Sequence, residues 1–226
     1  MKRSRLISLV VAMLMPLAAI ADSYTSLWKQ FDSAMQKDHP QTALKVLVQI
    51  TDKAQREHEY GQLLKAQVSI AGCETMMSPD SLLPAIERLK YAEQTAVSNG
   101  DNVLAAVYQS VLGSVYTDNR RLLDDGVAIG KEYYAKSMAH PDALASAYAT
   151  GYEPFVVDGV DSKYYYDDLL HVIGMRAGDY RTMHDYYASH GKREGALLTA
   201  LELVKKSRRA GDEGRVKKSK YIMSLD

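Results

Sequence analysis

The sequence predicts an all-α protein of antiparallel helix pairs, and three observations carry that expectation. Apolar residues recur at the i, i+3, i+4, i+7 spacing of amphipathic helices along most of the chain. The periodic segments are separated by short breaks rich in Pro, Gly and Asp, such as His39-Pro40, Ser78-Pro79-Asp80 and Ser98-Asn99-Gly100-Asp101. Gly178-Asp179 recurs as Gly211-Asp212, 33 residues later, a period that suits stacked helix–turn–helix units.

Residues 1–21 are expected to be a secretory leader rather than fold. Lys2, Arg3 and Arg5 precede an apolar run from Leu6 to Ile20, and Ala19-Ile20-Ala21 suits cleavage between Ala21 and Asp22. The run is short of the roughly 20 residues a membrane span needs. No Cys lies near the cleavage site, so a lipid-anchored start is not expected. Export to the periplasm or cell envelope follows. Removing three of the 28 basic residues leaves 25 against 28 acidic ones, a charge of about −3. That balance offers no basic stripe for phosphates and argues against nucleic acid as a partner. Cys73 is the only cysteine, so no internal disulfide can form. A buried, inert thiol is expected, the alternative being a bond to a partner.

Residues 22–118 read as N-terminal helical hairpins. Tyr24, Leu27, Trp28, Phe31, Ala34 and Met35 share one face of a first helix, capped by Asp22 or Ser23. Pro40 opens the next, where Ala43, Leu44, Leu47, Ile50 and Ala54 line one side. A third carries Leu63, Leu64, Ala66, Ile70 and Ala71. A fourth carries Leu82, Leu83, Ile86, Leu89 and Val97, with Pro84 tolerated in its first turn. The fifth is the most regular, pairing apolar residues from Val103-Leu104 to Val115-Tyr116.

Residues 119–160 read as an irregular connection with short helices, one around Glu132 to Met138 and one from Ala143 to Ala149. Asp124-Asp125-Gly126 suggests a loop, and Gly151 to Gly159 an ordered loop or short extended piece. Residues 161–226 read as C-terminal helical repeats. The first helix, capped by Asp161 or Ser162, uses Tyr165, Leu169, Leu170 and Ile173. Gly178 suits the left-handed residue after it, and Asp179 the next N-cap. The second uses Tyr180, Met183, Tyr186 and Tyr187 and ends at Gly191. The third uses Ala196, Leu197, Ala200, Leu201 and Val204. A fourth is expected from Asp212, and the end at Met223-Ser224-Leu225-Asp226 lacks a terminating signal, so truncation is expected. Together these elements suggest a tetratricopeptide-like solenoid interrupted in its middle.

Chemistry is sparse. His184-Asp185 with His190 is the best metal candidate, but six residues place the two imidazoles on different helix faces, where ligation favours spacings of three or four. Glu57, His58 and Glu59 frame a turn. Asp167-Asp168 is expected near a helix start from the dipole alone. Asp124-Asp125-Gly126 lacks the other ligands of a calcium loop. No phosphate-binding loop, nucleophile elbow or Cys-x-x-Cys motif occurs, so no catalytic residue, metal or cofactor is expected. The chain holds 16 Tyr against two Phe and one Trp, many in runs such as Tyr164-Tyr165-Tyr166 and Tyr186-Tyr187. Neighbours on a helix stand 100° apart, so one can be buried while the next faces the rim. Tyr164, Tyr166, Tyr186 and Tyr187 are therefore candidates for a protein- or peptide-binding surface, the alternative being ordinary helix packing.

Several stretches resemble the N-terminal helical region of exported bacterial alpha-2-macroglobulin-like proteins. They are Ser26-Leu27-Trp28-Lys29-Gln30, Ala43-Leu44-Lys45-Val46-Leu47, and Tyr60-Gly61-Gln62-Leu63-Leu64-Lys65-Ala66. Further along come Asp161 to Leu170, Gly178-Asp179-Tyr180, and Gly191 with Ala196 to Glu202. The resemblance implies a secreted or periplasmic protein of a family associated with trapping proteases. The bait region and macroglobulin domains have no counterpart in these stretches. Cys73-Glu74-Thr75-Met76 departs from the family's Cys-x-Glu-Gln thioester motif, so no thioester chemistry is implied. The expected role is a noncatalytic interaction or scaffold segment. The alternatives are a periplasmic hydrolase acting on envelope polymers through His184, Asp185 or Asp167-Asp168, and a truncated product with no role of its own.

Overall fold

The computed structural model describes residues 24–157, 159 and 161–209. The leader, the Ala21–Asp22 cleavage point, the Gly211-Asp212 turn and the helix expected after it lie outside the described residues. The fold is all-α. Among the described residues every regular element is helical, and the one β feature is an isolated antiparallel bridge between Tyr148 and Asp168. Among these residues no helix is long and apolar enough to cross a membrane. The chain forms two compact units, one running up to Ala85 and including Tyr152–Phe155, the other built from Ile86–Gly151 and Val156 onward.

In the first unit, helical residues 24–36 (α1) are followed by α2 (Pro40–Glu57) and α3 (Tyr60–Met77). Pro40 occupies the first turn of α2, where its missing N–H costs no hydrogen bond. His58 ends α2 in the left-handed conformation (φ 58°), so α3 begins two residues later and packs along α2. Tyr24, Val46, Leu47, Ile50, Ala54, Leu63, Ala66 and Cys73 form the core, and Trp28, Phe31 and Met35 close over it. The Cys73 thiol is buried beside Met35 Sδ at 3.8 Å, and burial pushes its pKa up. Gly61 is required by close approach, since a Cβ there would stand 2.0 Å from the Glu153 carbonyl oxygen.

α4 (Leu82–Ser98) divides between the units at Ala85. Its inward side is Leu82, Ala85, Ile86, Leu89 and Ala96, whereas Leu83 and Val97, expected on the apolar side, are exposed. In the second unit α5 (Asn102–Asp118) is capped by the Asp101 carboxylate, which accepts the Leu104 N–H at 2.9 Å. It packs closely on α6 (Gly126–Ser137). α6 begins six residues before the short helix expected around Glu132. Asp125 takes the left-handed conformation (φ 55°), and Gly126, expected in a loop, is the first helical residue. The helix tolerates Gly126 and Gly130 because both sit against backbone or side-chain atoms that leave no room for a Cβ. Opposite them, the Tyr134 ring lies on Gly113 of α5, and Tyr116 stacks on Tyr133 at 5.7 Å.

α7 (Pro141–Ala145) is shorter than expected, and a 3₁₀ turn takes Ala149–Tyr152. No strand forms among the described residues of the Gly151–Gly159 segment. The helix expected from Ser162 is instead a single 3₁₀ turn, Ser162–Tyr165, followed by Tyr166 and Asp167 at positive φ (60° and 52°). The break is caused by contacts with an earlier loop. Asp167 O accepts the Ala149 N–H at 2.8 Å, and Ala147 O accepts the Leu169 N–H at 2.9 Å. These bonds to the preceding loop replace helical ones, so α8 (Leu169–Ala177) starts only after Asp168. Gly178 (φ 65°) and Asp179 then turn the chain into α9 (Tyr180–Ser189) as expected, with Asp179 accepting the Thr182 N–H at 3.2 Å. Gly191 turns it into α10 (Arg193–Arg209), which packs on α9.

Candidate functional site

Two features of the second unit combine chemistry with shape. The first is centred on Asp168. As N-cap of α8 it accepts the His171 N–H at 3.0 Å, and only 2% of it is exposed. The same oxygen, Oδ1, accepts the Tyr187 hydroxyl at 2.9 Å. Oδ2 has no hydrogen-bond partner, and Lys192 Nζ stands 3.7 Å away, near enough for electrostatic attraction but beyond hydrogen-bond reach. His171 Nδ1 is also buried without a hydrogen bond, 3.5 Å from Asp168 Oδ1, and Tyr165 stacks on its ring at 5.2 Å.

The Lys192 ammonium lies over three tyrosine rings, 4.6 Å from Tyr166, 5.7 Å from Tyr186 and 5.8 Å from Tyr187. Ring quadrupoles and the buried carboxylate act on the same cation. Burial, reinforced by Asp168, holds the Tyr187 phenol well above the usual tyrosine range. Burial likewise pushes Tyr165 up to about 12. Tyr166 donates to Glu194 Oε2 at 2.8 Å, which keeps the Glu194 carboxyl below its ordinary value. Of the tyrosines singled out from sequence, Tyr166, Tyr186 and Tyr187 thus meet around Lys192. Tyr164 is exposed, with its own neighbour Lys163 4.8 Å over the ring. Sequence reasoning missed Lys192, His171 and Glu194. The one available signal was Asp168 standing three residues before His171, the spacing of an N-cap and the amide it accepts.

The second feature is an open groove of about 640 Å³ between α9 and α10. Its walls include His184, Ala188, Arg193, Ala196, Leu197 and Ala200. Leu197 and Leu201, expected on the inward face of α10, are 64% and 47% exposed. The buried positions are Gly195, Thr199 and Ala200, the last as expected. Gly195 leaves space for the Tyr187 ring 3.0 Å from where a Cβ would stand, and the fully buried Thr199 hydroxyl donates to Gly195 O at 2.7 Å. Small and internally satisfied residues therefore take the contact, and the leucines turn outward.

The two histidines of the metal candidate part company. His184 lies in the groove wall with Nδ1 3.2 Å from Asp185 Oδ1, whereas His190 stacks on Tyr186 at 4.1 Å and stands 3.8 Å from Asp142. Among the described residues no three His, Cys, Asp or Glu side chains gather as a metal would require. Compared with protein-family models, curated proteins and solved structures, the chain shows no match.

Proposed function

We propose that this chain is a noncatalytic protein-interaction or scaffold module, exported to the periplasm or cell envelope. In this reading its helix pairs stack as a tetratricopeptide-like array, and it is the helical segment of an alpha-2-macroglobulin-like protein. The observation that carries the interaction role is the α9–α10 groove, where Leu197 and Leu201 face solvent beside small-residue walls. Apolar side chains of this size are stabilised by burial, and a groove between two helices is a common place for a partner's side chains. The leader pattern and the family resemblance support export and origin.

The test is a photo-crosslinking residue at position 197, with the same residue at exposed Lys131 on α6 as control, in bacteria expressing the chain with its own leader. Discrete adducts with identifiable proteins of the envelope fraction are expected from position 197 and not from 131. Absence of adducts, or the same adducts from both positions, rejects the reading.

The hydrolase reading draws on one observation, His184 in the groove wall with Asp185 beside its Nδ1. Such a pair is an imidazole base oriented by a carboxylate. Release of soluble fragments from purified cell-wall polymer, lost in H184A, would establish it in place of the interaction module.

A further inference from the structure

We infer that the α9–α10 groove takes an amphipathic helix whose apolar stripe is flanked by carboxylates. The inference rests on the interaction reading above and names the chemistry of the partner. Arg193, Leu197, Leu201, Val204 and Arg208 succeed one another at intervals of three or four along α10. At 100° per residue they fall on one side of the helix, a stripe of about 22 Å at 1.5 Å per residue. Arginine stands at each end and apolar residues between. Arg193, Leu197, Leu201 and Arg208 are exposed.

The neighbouring acids are already engaged. Glu194 accepts the Tyr166 hydroxyl, and Glu202 pairs with Lys205. Neither the Arg193 nor the Arg208 guanidinium forms a salt bridge or side-chain hydrogen bond among the described residues, and that of Arg193 acts on Glu194 only through its charge. Ala188, Ala196 and Ala200 keep the walls low, so side chains one helical turn apart can enter between α9 and α10. A complementary surface therefore carries leucine-like residues at helical spacing and carboxylates that reach the two guanidinium groups, which bind carboxylate in a bidentate fork.

The probe is a fluorescent 18-residue synthetic helix with a leucine stripe at i, i+3, i+4, i+7 and glutamates flanking it. A lysine-flanked copy and a scrambled glutamate copy are the controls. Anisotropy titration of the purified chain should show the glutamate helix binding at least about tenfold more tightly than either control, a difference that added salt reduces. L197D should weaken it by about tenfold or more without moving the thermal midpoint, because Leu197 already faces solvent. R193E/R208E should weaken the glutamate helix and strengthen the lysine helix. No binding, equal binding of all three peptides, or indifference to the arginine reversal overturns the inference. So would L197D-sensitive binding to phosphatidylglycerol vesicles without peptide preference, which would make the stripe a membrane contact. An L197D-sensitive dimer in sedimentation, again without peptide preference, would assign it to a second copy. Adducts from position 197 together with no preference for the acidic helix would reject this inference while leaving the interaction reading in place.

Discussion

Tyr187 donates its hydroxyl to Asp168 Oδ1 at 2.9 Å, across 19 residues of sequence, and so joins the cap of α8 to the body of α9. Both partners are buried, and the bond satisfies two groups that would otherwise be costly to remove from water. Y187F keeps the ring and its contacts but leaves the carboxylate with fewer donors. Urea unfolding should show a loss of about 1–3 kcal/mol. A loss below about 0.5 kcal/mol would mean that solvent reaches Asp168 in the folded protein.

Lys192 and Asp168 should prove coupled. K192M retains much of the stem over the three rings but leaves a buried carboxylate without its cation, a destabilising change. D168N retains an N-cap acceptor for the His171 N–H and removes the charge. K192M should therefore cost less in the D168N background than in the native one, by about 0.5 kcal/mol or more. Additive losses in the double-mutant cycle would show that the ammonium answers to the rings alone.

Two glycines of α3 should respond with opposite signs. A Cβ at Gly61 would meet the Glu153 carbonyl oxygen at 2.0 Å, a backbone atom with no rotamer to yield. G61A should destabilise by about 1–3 kcal/mol or more through overpacking. Gly72 has nothing within 4 Å of its Cβ position and lies inside the helix. G72A should stabilise by about 0.5–1 kcal/mol, the usual gain of alanine over glycine in a helix interior. Thermal denaturation of the two variants separates close approach from backbone freedom.

The pH dependence should show two edges. Burial raises the folded pKa of Tyr165 to about 12 and that of Tyr187 as well, from an unfolded value of 10.0. A raised phenol contributes stability that is full below the unfolded pKa and is lost as pH rises through the folded one. Stability should therefore fall from pH 10 upward, and less steeply in Y165F. At the acid edge, the Lys53 ammonium holds the Glu57 carboxyl below its ordinary 4.5, and the Tyr24 hydroxyl donates to it at 2.8 Å. That contribution is full above 4.5 and is lost as pH falls through the lowered folded value. In E57Q the acid edge should be shallower, as followed by tryptophan fluorescence across a pH series.

The parts of this protein legible in its sequence are those set by forces acting within a few residues. Pro40 at a helix start, the break at Ser98 to Asp101, Asp179 as a cap and Gly178 in the left-handed turn are all where their backbone preferences place them. The paired apolar residues of α5 likewise announce the helix that forms, because a wide apolar stripe has one way to leave water. The tyrosine runs were visible too, but not their meeting at one lysine. Tyr166 reaches Glu194 across 28 residues, and no local periodicity encodes that distance. The same holds for α10. Its pattern of Ala and Leu is apolar on a broad arc, and helical spacing alone cannot say which part of the arc another helix will cover. Gly195 and Thr199 decide it by letting the Tyr187 ring approach closely, which leaves Leu197 and Leu201 in solvent. Helix class and most helix ends follow from local hydrogen bonding and φ preferences, whereas the start of α8 is set by bonds to Ala147 and Ala149 far back in the chain. The cage around Lys192 and the outward leucine stripe follow from packing between segments far apart in the chain, where shape and desolvation outweigh local pattern.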